Sequence, residues 1–233
     1  MIKMMKPSCV WKDVYVIGSA EISHPYDCCV YIIDSGDELV LIDTGAGRSF
    51  DKIVNNILYL GFTPGKINKV VATHSHIDHI GSLAAFKHRY NVTVVAHELD
   101  TKAIESGVKT GADFYGVDYQ PCKVDIVLTE SEYVIKTDKY NLNIMHIPGH
   151  TPGSIIVYVD MSHKRVLFGQ DIHGPYEPVL GGNREKAIDS LQKLANLNAD
   201  ILCEGHFGII HPAAEVKKYL EYYRNELLEI QNN

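Results

Sequence analysis

Four side chains able to bind metal ions, His74, His76, Asp78 and His79, fall within six consecutive positions of the segment Thr73-His74-Ser75-His76-Ile77-Asp78-His79. Residues two apart on an extended backbone project to one side, so a strand running into this segment aims His74 and His76 together. A turn into a following helix swings Asp78 and His79 toward the same cavity from another direction. One short peptide can thereby serve two adjacent ions. Imidazole nitrogen and carboxylate oxygen without thiolate suit zinc, iron, manganese or nickel, so the donor set narrows the metal without naming it.

Three more donors, His150, Asp171 and His206, stand after or near the ends of predicted strands, bordered by glycines that permit tight loops. His88, His97, His146, His163 and His211 lack such a context and read as core or surface residues, with His24 and His173 intermediate.

These groups need a scaffold to bring them together. Apolar and β-branched runs predict strands at 14–17, 29–33 and 38–42, the last two joined by the turn Asp34-Ser35-Gly36-Asp37. Helical spacing of apolar residues over 49–60 ends at Gly61, where a C-terminal cap belongs. A strand at 69–73 precedes the histidine turn, 80–88 reads as helix, and 92–96 as a further strand. The second half returns to strands at 124–128, 141–147, 155–159 and 166–168, then a helix at 184–197, a strand at 201–203 and a helix at 213–228. Two halves, each with strands and then helices, imply two sheets packed face to face with helices outside. The stretches 107–122 and 173–184 mix Gly and Pro with Tyr and polar groups, a composition suited to binding loops.

In this order the chain resembles the metallo-β-lactamase superfamily. Leu41-Ile42-Asp43-Thr44-Gly45 resembles the family's first motif, residues 74–79 the second, and Gly149-His150-Thr151-Pro152-Gly153-Ser154 the third. Gly169-Gln170-Asp171 resembles the fourth and Glu204-Gly205-His206 the fifth. The resemblance implies a four-layer αββα sandwich of two mixed β-sheets, and two divalent metal ions, zinc first with iron or manganese as alternatives. His74, His76 and His150 would bind one ion and Asp78, His79 and His206 the other, with Asp171 bridging and Asp43 orienting a ligand histidine. Hydroxide between the ions would attack an ester, thioester or related acyl carbonyl, with lactone and phosphodiester hydrolysis as alternatives.

The second and third motifs are most similar to those of the hydroxyacylglutathione hydrolase (glyoxalase) group. That group carries an added helical region that helps bind glutathione, whereas one predicted helix follows His206 here. A compact acyl substrate is therefore expected, recognised by 107–122 and 173–184 rather than through glutathione. A mononuclear iron persulfide dioxygenase resembles the same histidine motif and stands as the alternative reaction. His173 and Tyr176, in a Gly-Pro turn after Asp171, join Asp78 as catalytic candidates able to donate to an oxyanion or protonate a leaving group. Tyr115 and Tyr119 offer an opposite wall, and Arg184 a cation for an anionic group.

Composition bounds the rest. With 233 residues, 45% of them hydrophobic, the chain can build one substantial core, so residues 1–233 are expected to form a single domain. A formal net charge of -7 with scattered Lys and Arg argues against nucleic acid and leaves a small-molecule substrate. Neither a signal-peptide core nor a run of about 18 apolar residues occurs, so a cytoplasmic protein without membrane contact is expected, a homodimer being compatible. Five cysteines without a C-x-x-C pair exclude a thiolate zinc knuckle and read as small buried hydrophobes.

Overall fold

The structure, a computed structural model, describes residue 1 and residues 4–231. Its first sheet contains β1 (Ser8–Trp11), β2 (Val14–Gly18), β3 (Val30–Asp34), β4 (Leu39–Ile42), β5 (Ile67–Val71), β6 (Thr93–His97) and β7 (Ile126–Leu128), neighbours in that order. β1 to β4 pair antiparallel, and β4 to β7 pair parallel. The second sheet contains β8 (Glu132–Lys136), β9 (Asn141–His146), β10 (Ile155–Met161), β11 (Lys164–Gly169), β12 (Ile201–Glu204) and β13 (Ile209–Ile210). It is antiparallel except for the pair β11–β12.

The inner strands are apolar on both faces because each sheet is covered twice. In β4, Leu39 and Leu41 face an outer core while Val40 and Ile42 face the space between the sheets, and all four are buried. Tyr31, Ile33, Val71 and Val95 of the first sheet share that central core with Ile144, Val157, Val166 and Phe168 of the second. Each buried branched or aromatic side chain contributes about 1.5–3 kcal/mol, so the central layer is a major stabilising element beside the outer cores.

Helices cover the two outer faces. α1 (Phe50–Tyr59) and α3 (Leu83–Tyr90) bury Ile53, Ile57, Leu83 and Phe86 against the first sheet. α6 (Arg184–Asn196) and α7 (Ala213–Gln231) bury Leu191, Leu194, Val216, Leu220 and Leu227 against the second. The result is the expected αββα sandwich. No helix among the described residues is long and apolar enough to cross a membrane.

The helix expected over 80–88 is two pieces, α2 (Ile77–Ile80) and α3, and α2 starts inside the histidine motif. β1, β8, β13 and α4 (Glu98–Ser106) were not anticipated, and 107–122 carries a one-turn helix, α5 (Ala112–Tyr115). Parallel neighbours deliver their C-terminal ends to one rim: β4 and β5 end at Asp43 and the histidine motif, β11 and β12 at Asp171 and His206. Hydrogen bonds stitch the sheets together there, Ile155 N donating to the Thr73 carbonyl at 2.9 Å and Tyr31 Oη to the Glu204 carbonyl at 2.8 Å.

Candidate metal centre

Seven donors converge on this rim in two groups. His74, His76 and His150 form one and Asp78, His79, Asp171 and His206 the other, the ligand atoms within each lying within 4.8 Å of one another. Asp171 belongs to both in its geometry. Its Oδ2 is 3.9 Å from His74 Nε2 and 3.3 Å from His150 Nε2, while its Oδ1 is 3.4 Å from His79 Nε2 and 3.1 Å from His206 Nε2. Asp171 and Asp43 both adopt left-handed backbone conformations, φ 51° and 60°, which turn their carboxylates back over the strand ends. Gly205 is required for close approach, since a Cβ there would sit 2.3 Å from Asp171 Oδ1.

The Nε2 atoms of His74, His76, His79 and His150 and the Oδ1 of Asp171 are buried without a hydrogen-bond partner. Each such group costs about 1–3 kcal/mol when left unpaired, and so many aimed at one point fit a pair of divalent cations. In His74, His79 and His150 the other ring nitrogen is engaged. His79 Nδ1 lies 2.7 Å from Asp43 Oδ2, and His150 Nδ1 lies 2.7 Å from the Pro175 carbonyl. Asp43 also accepts from Thr73 N at 2.8 Å and Thr73 Oγ1 at 2.7 Å, locking β4 to the motif.

Electrostatics divides the cluster. Burial, then the neighbouring His79, holds the His74 imidazole well below the usual histidine range. Burial and then His150 bring His76 down to about 3. Burial also opposes charge on His206, but the Asp171 and Asp78 carboxylates lift it to about 10. The metal-free site thus sets the neutral imidazoles of His74 and His76 beside His206, which carboxylates hold in its charged form.

Two buried carboxylates that sequence reasoning left unassigned support the donors. Asp100, in α4, accepts from Ser75 N at 2.8 Å, Thr151 Oγ1 at 2.7 Å and Gly153 N at 2.9 Å, joining the second motif to the third. Glu204 accepts from His206 N and Phe207 N through Oε2, and its Oε1 lies 2.7 Å from His173 Nδ1. Only the position of Glu204 within the fifth motif signalled it, and nothing in the sequence marks Asp100.

Above the donors lies a cavity of about 190 Å³ walled by both expected loops, including Phe114, Tyr115, His173 and Leu180. Arg48 holds the first loop in place, its Nη2 donating to the Gly116 carbonyl at 2.6 Å and the Tyr115 carbonyl at 3.1 Å. Burial, then the Asp78 carboxylate, pushes the Tyr115 phenol up to about 12, so its hydroxyl keeps its proton. Three expected site residues lie elsewhere. Tyr176 donates to the Ile172 carbonyl at 2.6 Å and packs in the outer core of the second sheet, so its hydroxyl is unavailable to an oxyanion. Tyr119 likewise donates to the Ile104 carbonyl at 2.9 Å. Arg184 starts α6 on the exposed surface, outside the cavity lining.

The family model of the metallo-β-lactamase superfamily matches residues 25–206. An uncharacterised protein of Aquifex aeolicus is 30% identical over 147 residues, 63% of this chain and 64% of that protein, so the match spans just under two thirds of that relative. The hydroxyacylglutathione hydrolase GloC of Haemophilus influenzae is 26% identical over 186 residues, 75% of this chain and 82% of that one. A variant metallo-β-lactamase of Cronobacter sakazakii shares the fold with a TM-score of 0.80 at 20% identity, covering 97% of each chain.

Proposed function

The chain belongs to the metallo-β-lactamase superfamily as a metal-dependent hydrolase, and we propose that it holds two divalent ions, zinc first, and cleaves a compact ester or thioester. The observation that carries this reading is Asp171, whose carboxylate stands between the two donor groups, Oδ2 lying 3.3 Å from His150 Nε2 and Oδ1 lying 3.4 Å and 3.1 Å from His79 and His206 Nε2. His74, His76 and His150 would hold one ion, Asp78, His79 and His206 the other, with Asp171 between them. Seven converging donors exceed what one site with three protein ligands uses, which disfavours the mononuclear dioxygenase alternative.

Bound there, the ions would supply hydroxide near neutral pH and polarise the acyl carbonyl. Asp43 fixes the His79 ring so that Nε2 faces the site. Glu204 does the same for His173, leaving Nε2 free at the cavity wall to carry a proton to the departing oxygen or sulfur. Tyr115 brings a phenolic hydroxyl to that wall, placed to donate to a substrate oxygen.

The reading extends to a single domain over residues 1–233, in the cytoplasm, alone or as a homodimer, without nucleic-acid or membrane partners. The net charge of -7 supports the last point. The cavity volume favours a small acyl group, and the named relative GloC points to thioesters. Thioesters with one acyl group on glutathione or on a small thiol test this. We expect hydrolysis of both within about tenfold in kcat/KM; a glutathione preference beyond about a hundredfold, roughly 2.7 kcal/mol of transition-state binding, would overturn the compact-substrate assignment.

A further inference from the structure

A second cavity, of about 250 Å³, adjoins the first. Leu180 lines both. Ser75, between two histidines of the motif, and Lys109, next to Thr110 of the metal cavity, tie its lining to the segments that build the centre. Its wall is apolar yet open: Leu99 is 52% and Val108 58% exposed. Large apolar side chains held out on a cavity wall gain free energy from a ligand that covers them.

Two cations share this wall, Lys102 and Lys109, both exposed and neither ion-paired among the described residues. The carboxylate of the same wall, Asp100, is buried and spends its oxygens on Ser75, Thr151 and Gly153. Both lysines are therefore available to an anionic ligand on a chain of net charge -7. Lys109 is held at φ 61°, a conformation that non-glycine residues rarely adopt. Its neighbour Thr110 fixes it there, its Oγ1 donating to the Gly107 carbonyl at 3.0 Å and its carbonyl accepting from Ile77 N at 2.7 Å. The turn that positions the donors of α2 thus also positions this lysine.

We infer that the second cavity seats the remote end of the substrate, an apolar arm lying on Leu99, Val108 and Leu180 and ending in an anionic group, carboxylate or phosphate, held by Lys102 and Lys109. The inference rests on the acyl-hydrolase reading and names its substrate class: acyl compounds with an anionic far end. The cation that the sequence suggested at Arg184 is supplied instead by α4 and the turn that follows it.

The test uses metal-replete protein and thioesters of one small thiol whose medium-length acyl chains end in carboxylate, phosphate or the neutral methyl ester. In parallel, calorimetry compares a dicarboxylate with the monocarboxylate of equal chain length, neither of which can be hydrolysed. We expect at least one anionic-ended thioester to exceed the neutral one by tenfold or more in kcat/KM, and the dicarboxylate to bind at least tenfold tighter. Both ratios should fall to about twofold in Lys102→Met/Lys109→Met and stay unchanged in the remote control Lys193→Met, and the better of the carboxylate and phosphate arms identifies the anion. Ratios near one in the parent protein, or ratios that survive the double substitution, overturn the inference. Calorimetric preference without turnover of any thioester would instead leave the subsite standing and remove the acyl-hydrolase reading.

Discussion

Asp171 and Asp43 are the two acids whose backbones take left-handed conformations in this rim, and each is held by partners on more than one element. Strain of this kind costs about 1–3 kcal/mol per residue and persists where the surroundings over-determine it. Asp43 holds the donors indirectly, through His79 and through Thr73 beside His74, so Asp43→Asn, which keeps the shape but loses the charge, should weaken metal retention about 10–100-fold. Competition against a chromogenic chelator measures this, and an unchanged affinity would remove Asp43 from the centre. His173 and Tyr176 separate proton transfer from packing. His173→Ala should lower kcat by about 10²–10⁴-fold. Tyr176→Phe loses a hydrogen bond to a carbonyl and should cost about 1–2 kcal/mol in urea unfolding while changing kcat/KM less than about threefold. The reverse pattern would return Tyr176 to catalysis.

At the scale of elements, the strand ends that carry the donors were legible because their apolar runs stop abruptly at His, Asp and Gly. Strand β8 was not, since Glu132, Val134 and Lys136 leave an exposed edge face with only Tyr133 and Ile135 turned inward. Helix α4 was missed for a different reason: it buries only Asp100 and Ile104, and a carboxylate whose partner Thr151 is 51 positions away has no local signature. This helix is capped by His97, whose Nδ1 accepts from Leu99 N at 3.3 Å and whose ring stacks on His146 at 3.8 Å between centroids. Burial, then His146, brings the His97 imidazole down to about 4, against about 6.5 when unfolded. A folded value below the unfolded one means that the unfolded chain takes up the proton first. The stabilisation is full above about pH 6.5 and shrinks as the pH falls from there toward about 4. His97→Asn keeps a capping oxygen but cannot titrate, so its metal-free urea midpoint should fall less than the parent's between about pH 7 and pH 5. Parallel declines would show that His97 does not titrate in that window.

For the molecule as a whole, each sheet has a parallel pair of strands ending on one rim, and hydrogen bonds from Ile155 to Thr73 and from Tyr31 to Glu204 join the sheets there. The fold therefore uses this hydrogen-bonded junction to assemble donors drawn from positions as distant as His74 and His206. Loops tied to that junction, through Arg48 on one side and Glu204 on the other, then shape the substrate cavity. The central claim is that this junction holds a pair of ions shared by Asp171. Elemental analysis of metal-replete protein, run beside Asp171→Ala, tests it most directly. About two ions per chain are expected in the parent, falling to one or fewer in the variant; a parent stoichiometry fixed at one, whatever zinc, manganese or iron is added, would contradict the account.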